Sequence, residues 1–439
     1  METKPKLSVE TPSGDKPKDA YGMVYILFFL MGLVHILPAT FFVTANDYWM
    51  HKFRNTSFED VDSSHRTVLQ VEFSPCLTIS MQVSIVLFLF LSLVFGHKYS
   101  IKLKLFGPLI IVLVSFIIAA IFIHIDTDTC KPHTPFHPNS NDLFLGQEGF
   151  FAFTMLIVFL INAMCSIFGM GIYTAVSNFS TEYLGAYLSG QGMATVFTSF
   201  LQIFALAIGV STETSALVYF WVAIVIVAFT LFLMTVVVLR NPFFQYNEQN
   251  GEKRKEKRLS FREIVDILKV IWPSAGIMIF LVATLNTVHP AISSLVVSEG
   301  EGNGRWNDVY FVPVITFTLN AVLDYVGRFV ALKLTLNIKP VWLVCCSVVR
   351  FVALVPLFML CNAQPRKHLP VVFDHDYQYI IIMVAFALSN GYLLNMVTLI
   401  IPKMIPPEKL EDAYHVQLVV TGILLGALSF LSFVSVDLI

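Results

Sequence analysis

Eleven apolar runs, each about 20 residues or longer and each closed by polar or charged positions, divide this chain. The first six are Tyr21–Thr44, Ser74–Gly96, Leu105–Ile125, Phe150–Tyr173, Gly185–Val210 and Ala216–Leu239. The last five are Val270–Val297, Val309–Leu332, Val341–Cys361, Tyr379–Ile401 and Tyr414–Val436. Runs of this length are read as membrane-spanning helices, because the bilayer core offers backbone groups no partner outside their own helix. The pattern predicts an all-α polytopic membrane protein. Its one marked break in composition, Asn241 to Ile264, separates six helices from five.

Residues 1–20 are polar and rich in lysine and proline, and read as a cytoplasmic disordered tail. The run that follows is too long for a signal-peptide core, so the first helix is expected to remain as an anchor. The expected organisation is a six-helix bundle over 21–239, a basic linker over 240–269 and a five-helix bundle over 270–439. Lysine and arginine gather on one side: Lys98, Lys102 and Lys104, then Lys253, Arg254, Lys255, Lys257 and Arg258. The positive-inside rule places the N-terminus in the cytoplasm and the C-terminus outside. With that orientation the sequon Asn55-Thr56-Ser57 falls in an outer loop and is a glycosylation candidate, whereas Asn178-Phe179-Ser180 lies inside and stays bare. The basic run reads as a solvated linker or as a contact for anionic headgroups.

Composition agrees with the pattern. Hydrophobic residues make up 56% of the chain and charged ones 13%, against roughly 45–50% and 25% in soluble domains. A net charge of −2, with no basic tract carrying interleaved aromatics, gives no sign of nucleic-acid binding. No phosphate loop, zinc spacing or nucleophile elbow is present, so neither an enzyme nor a cofactor or metal site is expected. No obligate protein partner is inferred; the expected partners are a solute and the lipid bilayer. Six cysteines make no disulfide framework, although Cys76, Cys130 and Cys361 all fall toward the outer surface and leave one bridge open.

The candidate chemistry lies inside the apolar runs. Asp324 and Arg328 stand four residues apart in the eighth run, on the face that also carries Phe317 and Asn320. Charges at bilayer depth face a protein interior or a cavity and mark a pathway. The pair can lock its helix to a neighbour, or bind a polar solute, or both. Arg350 in the ninth run needs a carboxylate or several carbonyls, and reads as structural or gating together with His289 and Asn390. His289 precedes Pro290, where the seventh helix is expected to be interrupted. Of the other polar positions (His35, Gln82, Asn162, Gln202, Asn286, Asn395, His415, Gln417), Gln82 is the foremost additional solute contact. Small residues at Gly185, Ser189, Gly190 and Gly192, and at Gly422 and Gly426, are expected to allow close helix packing.

Several short motifs occur in a fixed order: Leu37-Pro38 with Phe41-Phe42, Ser189-Gly190-Gln191-Gly192, Phe311-Val312-Pro313, Asp324-Tyr325-Val326-Gly327-Arg328, Leu360-Cys361-Asn362, Gln364-Pro365-Arg366 and Leu388-Ser389-Asn390-Gly391-Tyr392. In this order, on eleven helices, the chain resembles the equilibrative nucleoside transporters over nearly its whole length. The resemblance implies a fold similar to the major facilitator superfamily. It also implies facilitated diffusion of nucleosides by alternating access at the plasma membrane, with Asp324 and Arg328 at the ribose. The base would lie against walls such as Phe317. The family's Pro-Trp-Asn is here Pro38-Ala39-Thr40, its helix-four Gln position holds Gly169, and Asn320 precedes Asp324 by four residues rather than three. The ribose end is retained and the base end altered. Other readings of the same fold are a carrier of organic cations or monoamines, a proton-coupled nucleoside carrier, and a lysosomal address.

Overall fold

Among its described residues, the computed structural model contains eleven helices long and apolar enough to cross a membrane: α1 (Ala20–Thr44), α2 (Val68–Lys98), α3 (Ile101–Phe122), α4 (Gln147–Val176), α5 (Thr181–Ile208), α6 (Thr212–Arg240), α7 (Phe261–Leu295), α8 (Trp306–Lys333), α9 (Pro340–Met359), α10 (Asp376–Leu399) and α11 (Pro407–Leu438). It describes residues 17–54, 67–124, 146–209, 211–252, 259–334 and 338–439. The expectations placed on residues 1–16, Asn55, Cys130 and the run from Lys253 to Arg258 lie outside those described residues.

Helix ends depart from the apolar runs where polar caps extend them. α2 begins at Val68, ahead of its apolar run, because Thr67 and Gln70 cap each other: Gln70 N donates to Thr67 Oγ1 at 3.1 Å and Thr67 N to Gln70 Oε1 at 2.9 Å. α7 begins at Phe261 for a similar reason, with Ser260 N donating to Glu263 Oε2 at 2.8 Å. Its continuous helix stops at Val288, and His289 is extended (φ −126°, ψ 125°), the interruption that the His289-Pro290 pair foretells. Within the linker, Pro242–Glu252 forms a helix whose Phe243 and Phe244 pack on Phe179, and Glu248 Oε2 lies 3.9 Å from Lys102 Nζ. The α2–α3 turn, the α4–α5 turn with Asn178 and the linker therefore share one end of the bundle.

α1 packs on α5, α2 and α3 on α4, and α6 on α1 and α3; α7 packs on α9 and α11, and α8 on α10. The first six helices meet the last five through α2 on α11 and α5 on α8. Small residues permit the closest crossings. A β-carbon at Gly190 would collide with the Phe29 carbonyl in α1, and one at Gly422 would stand 2.9 Å from Leu89 Cδ1 in α2.

Two features were not read from the pattern. After α1, the short helix Asn46–Lys52 buries Tyr48 and Trp49 in an aromatic cluster at the end opposite the linker. There Trp49 Nε1 donates to Phe42 O at 3.0 Å, and buried Lys52 pairs with Glu213 at 2.8 Å. The first part of α8, Trp306–Tyr310 and Val312–Leu319, is wound as a π-helix and returns to α-helix at Asn320. π-turns are uncommon and concentrate at functional sites.

Candidate functional site

The Asp324–Arg328 pair exists as the spacing predicts. Arg328 Nε donates to Asp324 Oδ2 at 2.7 Å, and both residues are 7% exposed. Asp324 Oδ1 accepts from Asn390 Nδ2 at 2.8 Å across the α8–α10 contact. That contact is close because Gly327 and Gly391 bring the two main chains together, Gly327 against the Leu388 carbonyl. Asn395 Nδ2 donates to the Arg328 carbonyl at 3.1 Å and pins the same crossing one turn further along.

Arg350 finds its carboxylate at second hand. Its Nη2 donates to Asn390 Oδ1 at 3.1 Å, so Asn390 bridges Arg350 to Asp324. Arg350 Nε donates to Ser389 Oγ at 2.9 Å, and the guanidinium lies 4.8 Å from the centre of the Phe386 ring. His289 is held by Ser293 at 2.8 Å, lies 3.3 Å from Asn320 Nδ2, and packs edge-on to Phe317 at 5.7 Å. Asp324, Arg328, Arg350, Asn390, His289, Asn320 and Phe317 thus form one connected cluster in the last five helices. Gln82 is elsewhere, in α2, with Oε1 buried and without a partner among the described residues. Arg366, in the connection after α9, donates to the carbonyls of Met359 and Cys361, so its motif pins a turn. Cys76 and Cys361 are free thiols.

The cluster borders a central cavity of about 360 Å³ between the two groups of helices. Arg328 and Asn390 line it from α8 and α10, Gln417 from α11, and His35, Asn162 and Gln191 from α1, α4 and α5. Sequence reasoning did not single out Gln191 or join His35 to it; Gly169 held the signal. A β-carbon at Gly169 would lie 2.7 Å from His35 Nε2, so the absent side chain is what admits the imidazole. A larger cavity of about 590 Å³ lies nearer the linker end, lined by Lys104, Glu263, Glu411 and Asp412 among others. The buried Asp324–Arg328 pair adjoins the smaller cavity through Arg328, which makes that cavity the better candidate for binding.

A family model described as "Nucleoside transporter" matches residues 155–263 and 249–436, more than half of the chain. The chain belongs to the nucleoside transporter family. It is 28% identical to equilibrative nucleoside transporter 1 of Rattus norvegicus, over 95% of this chain and 98% of that protein. It is 26% identical to equilibrative nucleoside transporter 3 of the same species, over 96% and 90%. Equilibrative nucleotide transporter 1 of Arabidopsis thaliana is 23% identical over 94% and 86%. Among solved structures, the major facilitator superfamily proton:xylose symporter XylE bound to 6-bromo-6-deoxy-D-glucose superposes with a TM-score of 0.53 at 11% identity, covering 94% of this chain and 87% of that one. This transporter therefore has the eleven-helix, major-facilitator-like fold expected of it, and its family is one of carriers rather than enzymes.

Proposed function

We propose that the protein carries nucleosides across the plasma membrane by facilitated diffusion, through alternating access at the central cavity and without ATP hydrolysis. In this reading the N-terminus and the linker end are cytoplasmic, and 21–239 and 270–439 act as two bundles. One observation carries the proposal. Arg328 pairs with Asp324 through Nε alone, so its Nη1 and Nη2 make no hydrogen bond among the described residues while the side chain lines the cavity. A ribose has vicinal hydroxyls that both donate and accept; the free guanidinium edge donates to them, while Asp324, outside the cavity lining, holds that guanidinium in place through Nε. The names of the relatives support the same substrate class. The cavity lining, among the described residues, carries Arg328 and no carboxylate, which disfavours an organic cation. Uptake of labelled adenosine, cytidine and a monoamine by proteoliposomes tests the proposal. Nucleoside flux without monoamine flux is expected, and monoamine flux alone would refute it.

A further inference from the structure

The cavity is lined by several carboxamides, and their hydrogen bonds are not equivalent. Asn162, 4% exposed, spends its amide nitrogen on the Val158 carbonyl at 2.8 Å, and its Oδ1 accepts nothing among the described residues. Gln191 likewise directs Nε2 to Tyr187 Oη at 2.9 Å and to His35 Nδ1 at 3.1 Å. The Tyr187 hydroxyl lies 2.7 Å from the same His35 nitrogen and so links the imidazole to Gln191 a second time. Asn162 cannot turn over without setting its oxygen against the Val158 carbonyl, and in Gln191 it is Nε2 that donates to the Tyr187 oxygen. Both therefore offer fixed carbonyl oxygens to the cavity they line. Gln417 differs: it is 4% exposed, and both Nε2 and Oε1 are buried without a partner among the described residues. An amide left unsatisfied at such depth calls for a ligand or water to complete it.

We propose that Gln417, Asn162 and Gln191 form the base-recognition subsite, and that they select nucleosides whose base carries an exocyclic amino group, adenosine and cytidine, over the keto analogues inosine and uridine. This rests on the nucleoside-carrier reading. Adenine and cytosine present an amino donor beside a ring-nitrogen acceptor, and one carboxamide pairs with that edge through two hydrogen bonds. Gln417 alone cannot discriminate, because it can flip to meet a keto oxygen beside a ring N–H. The discrimination comes from Asn162 and Gln191. Their carbonyls accept the second amino hydrogen, but face a keto oxygen lone pair to lone pair and leave it unpaired. The altered base end of this chain is on this account a substituted one.

Adenosine and inosine differ at this edge by amino against keto, as do cytidine and uridine. Initial rates and competition constants for all four, in liposomes holding the purified full-length protein, test the proposal. Each amino nucleoside should compete about tenfold more strongly than its keto partner, the equivalent of about 1.4 kcal/mol. Asn162→Leu should shrink that ratio toward one by weakening the amino member, whereas Gln417→Leu should weaken all four and leave the ratio. Keto partners competing equally or better in the wild type would overturn the selection while leaving nucleoside transport intact. Loss of flux for every nucleoside would instead overturn the carrier reading, and this subsite with it. The wild-type ratios decide even if a variant fails to fold.

Discussion

Gly391 lies directly against the main chain of Asp324: a β-carbon there would collide with the Asp324 carbonyl oxygen. The α8–α10 crossing, and with it the Asn390–Asp324 hydrogen bond, depends on this missing methyl as well as on the one absent at Gly327. Gly391→Ala should push the helices apart and lower the stability of the detergent-purified protein by about 1–3 kcal/mol, the usual cost of overpacking. An unchanged melting temperature would show that the crossing is looser than described.

Asp324→Asn and Arg328→Lys should cut nucleoside transport severely while the protein still reaches the membrane. Removing one partner of a desolvated hydrogen-bonded pair costs about 2–5 kcal/mol, or roughly 30- to 5,000-fold in affinity. Lysine keeps the charge and loses the planar fork whose Nη edge is free for solute, so even that change should hurt. Deoxyribose analogues give a second measurement: they should suffer more with the wild type than with the variants. Restoration of transport by exchanging the two charges, with normal ribose preference, would reduce the pair to a structural lock.

The solute gradient should suffice as driving force. Counterflow of labelled adenosine in liposomes, with sodium absent and pH equal on both sides, should proceed at its normal rate. Strict dependence on sodium or on a pH difference would replace the uniporter by a coupled carrier.

Asn55 should carry glycan and Asn178 none. Asn178 shares its end of the bundle with the linker helix, where Phe179 meets Phe243 and Phe244. Asn55→Gln should therefore abolish the glycosidase-sensitive mass shift. If the shift persists in that variant and is lost in Asn178→Gln, the protein is inverted in the membrane.

At the start of α10, outside the spanning segment, His375 Nδ1 lies 2.6 Å from Glu299 Oε2, and this hydrogen bond, with Asp374 nearby, raises the histidine above its ordinary value of 6.5. The contact stabilises fully below that ordinary value and is lost as pH rises through the raised one. In Glu299→Gln the His375 titration followed by NMR should move down toward 6.5. A midpoint that does not move would assign the shift to Asp374 and Asp376.

The number of helices, their order and the Asp324–Arg328 pair were all legible, because length, hydropathy and i,i+4 spacing are local properties of the chain. The interruption after Val288 was legible for the same reason, through the residue before Pro290. What escaped was set by contacts distant in sequence. Asn390 reads as a lone polar residue until α10 crosses α8 and it joins Arg350 to Asp324. Gln191 reads as the polar member of a packing motif until His35 enters the space above Gly169. The π-turns before Asn320 have no periodic signature, since an apolar stretch containing Pro313 fits either winding.

Every partner of the Asp324 carboxylate belongs to the last five helices, and the nearest cation is on its own helix. In the proposed cycle, motion of one bundle past the other would therefore leave the ion pair whole. The groups that would part across the divide include Tyr173 against Tyr414, the Arg328 methylenes against Gly192, and the His415 imidazole against Thr174 Oγ1 at 3.1 Å. Such contacts are weak singly and readily exchanged. The conformational step of the proposed cycle consequently keeps the Asp324–Arg328 link intact, and breaking that link is no part of its barrier.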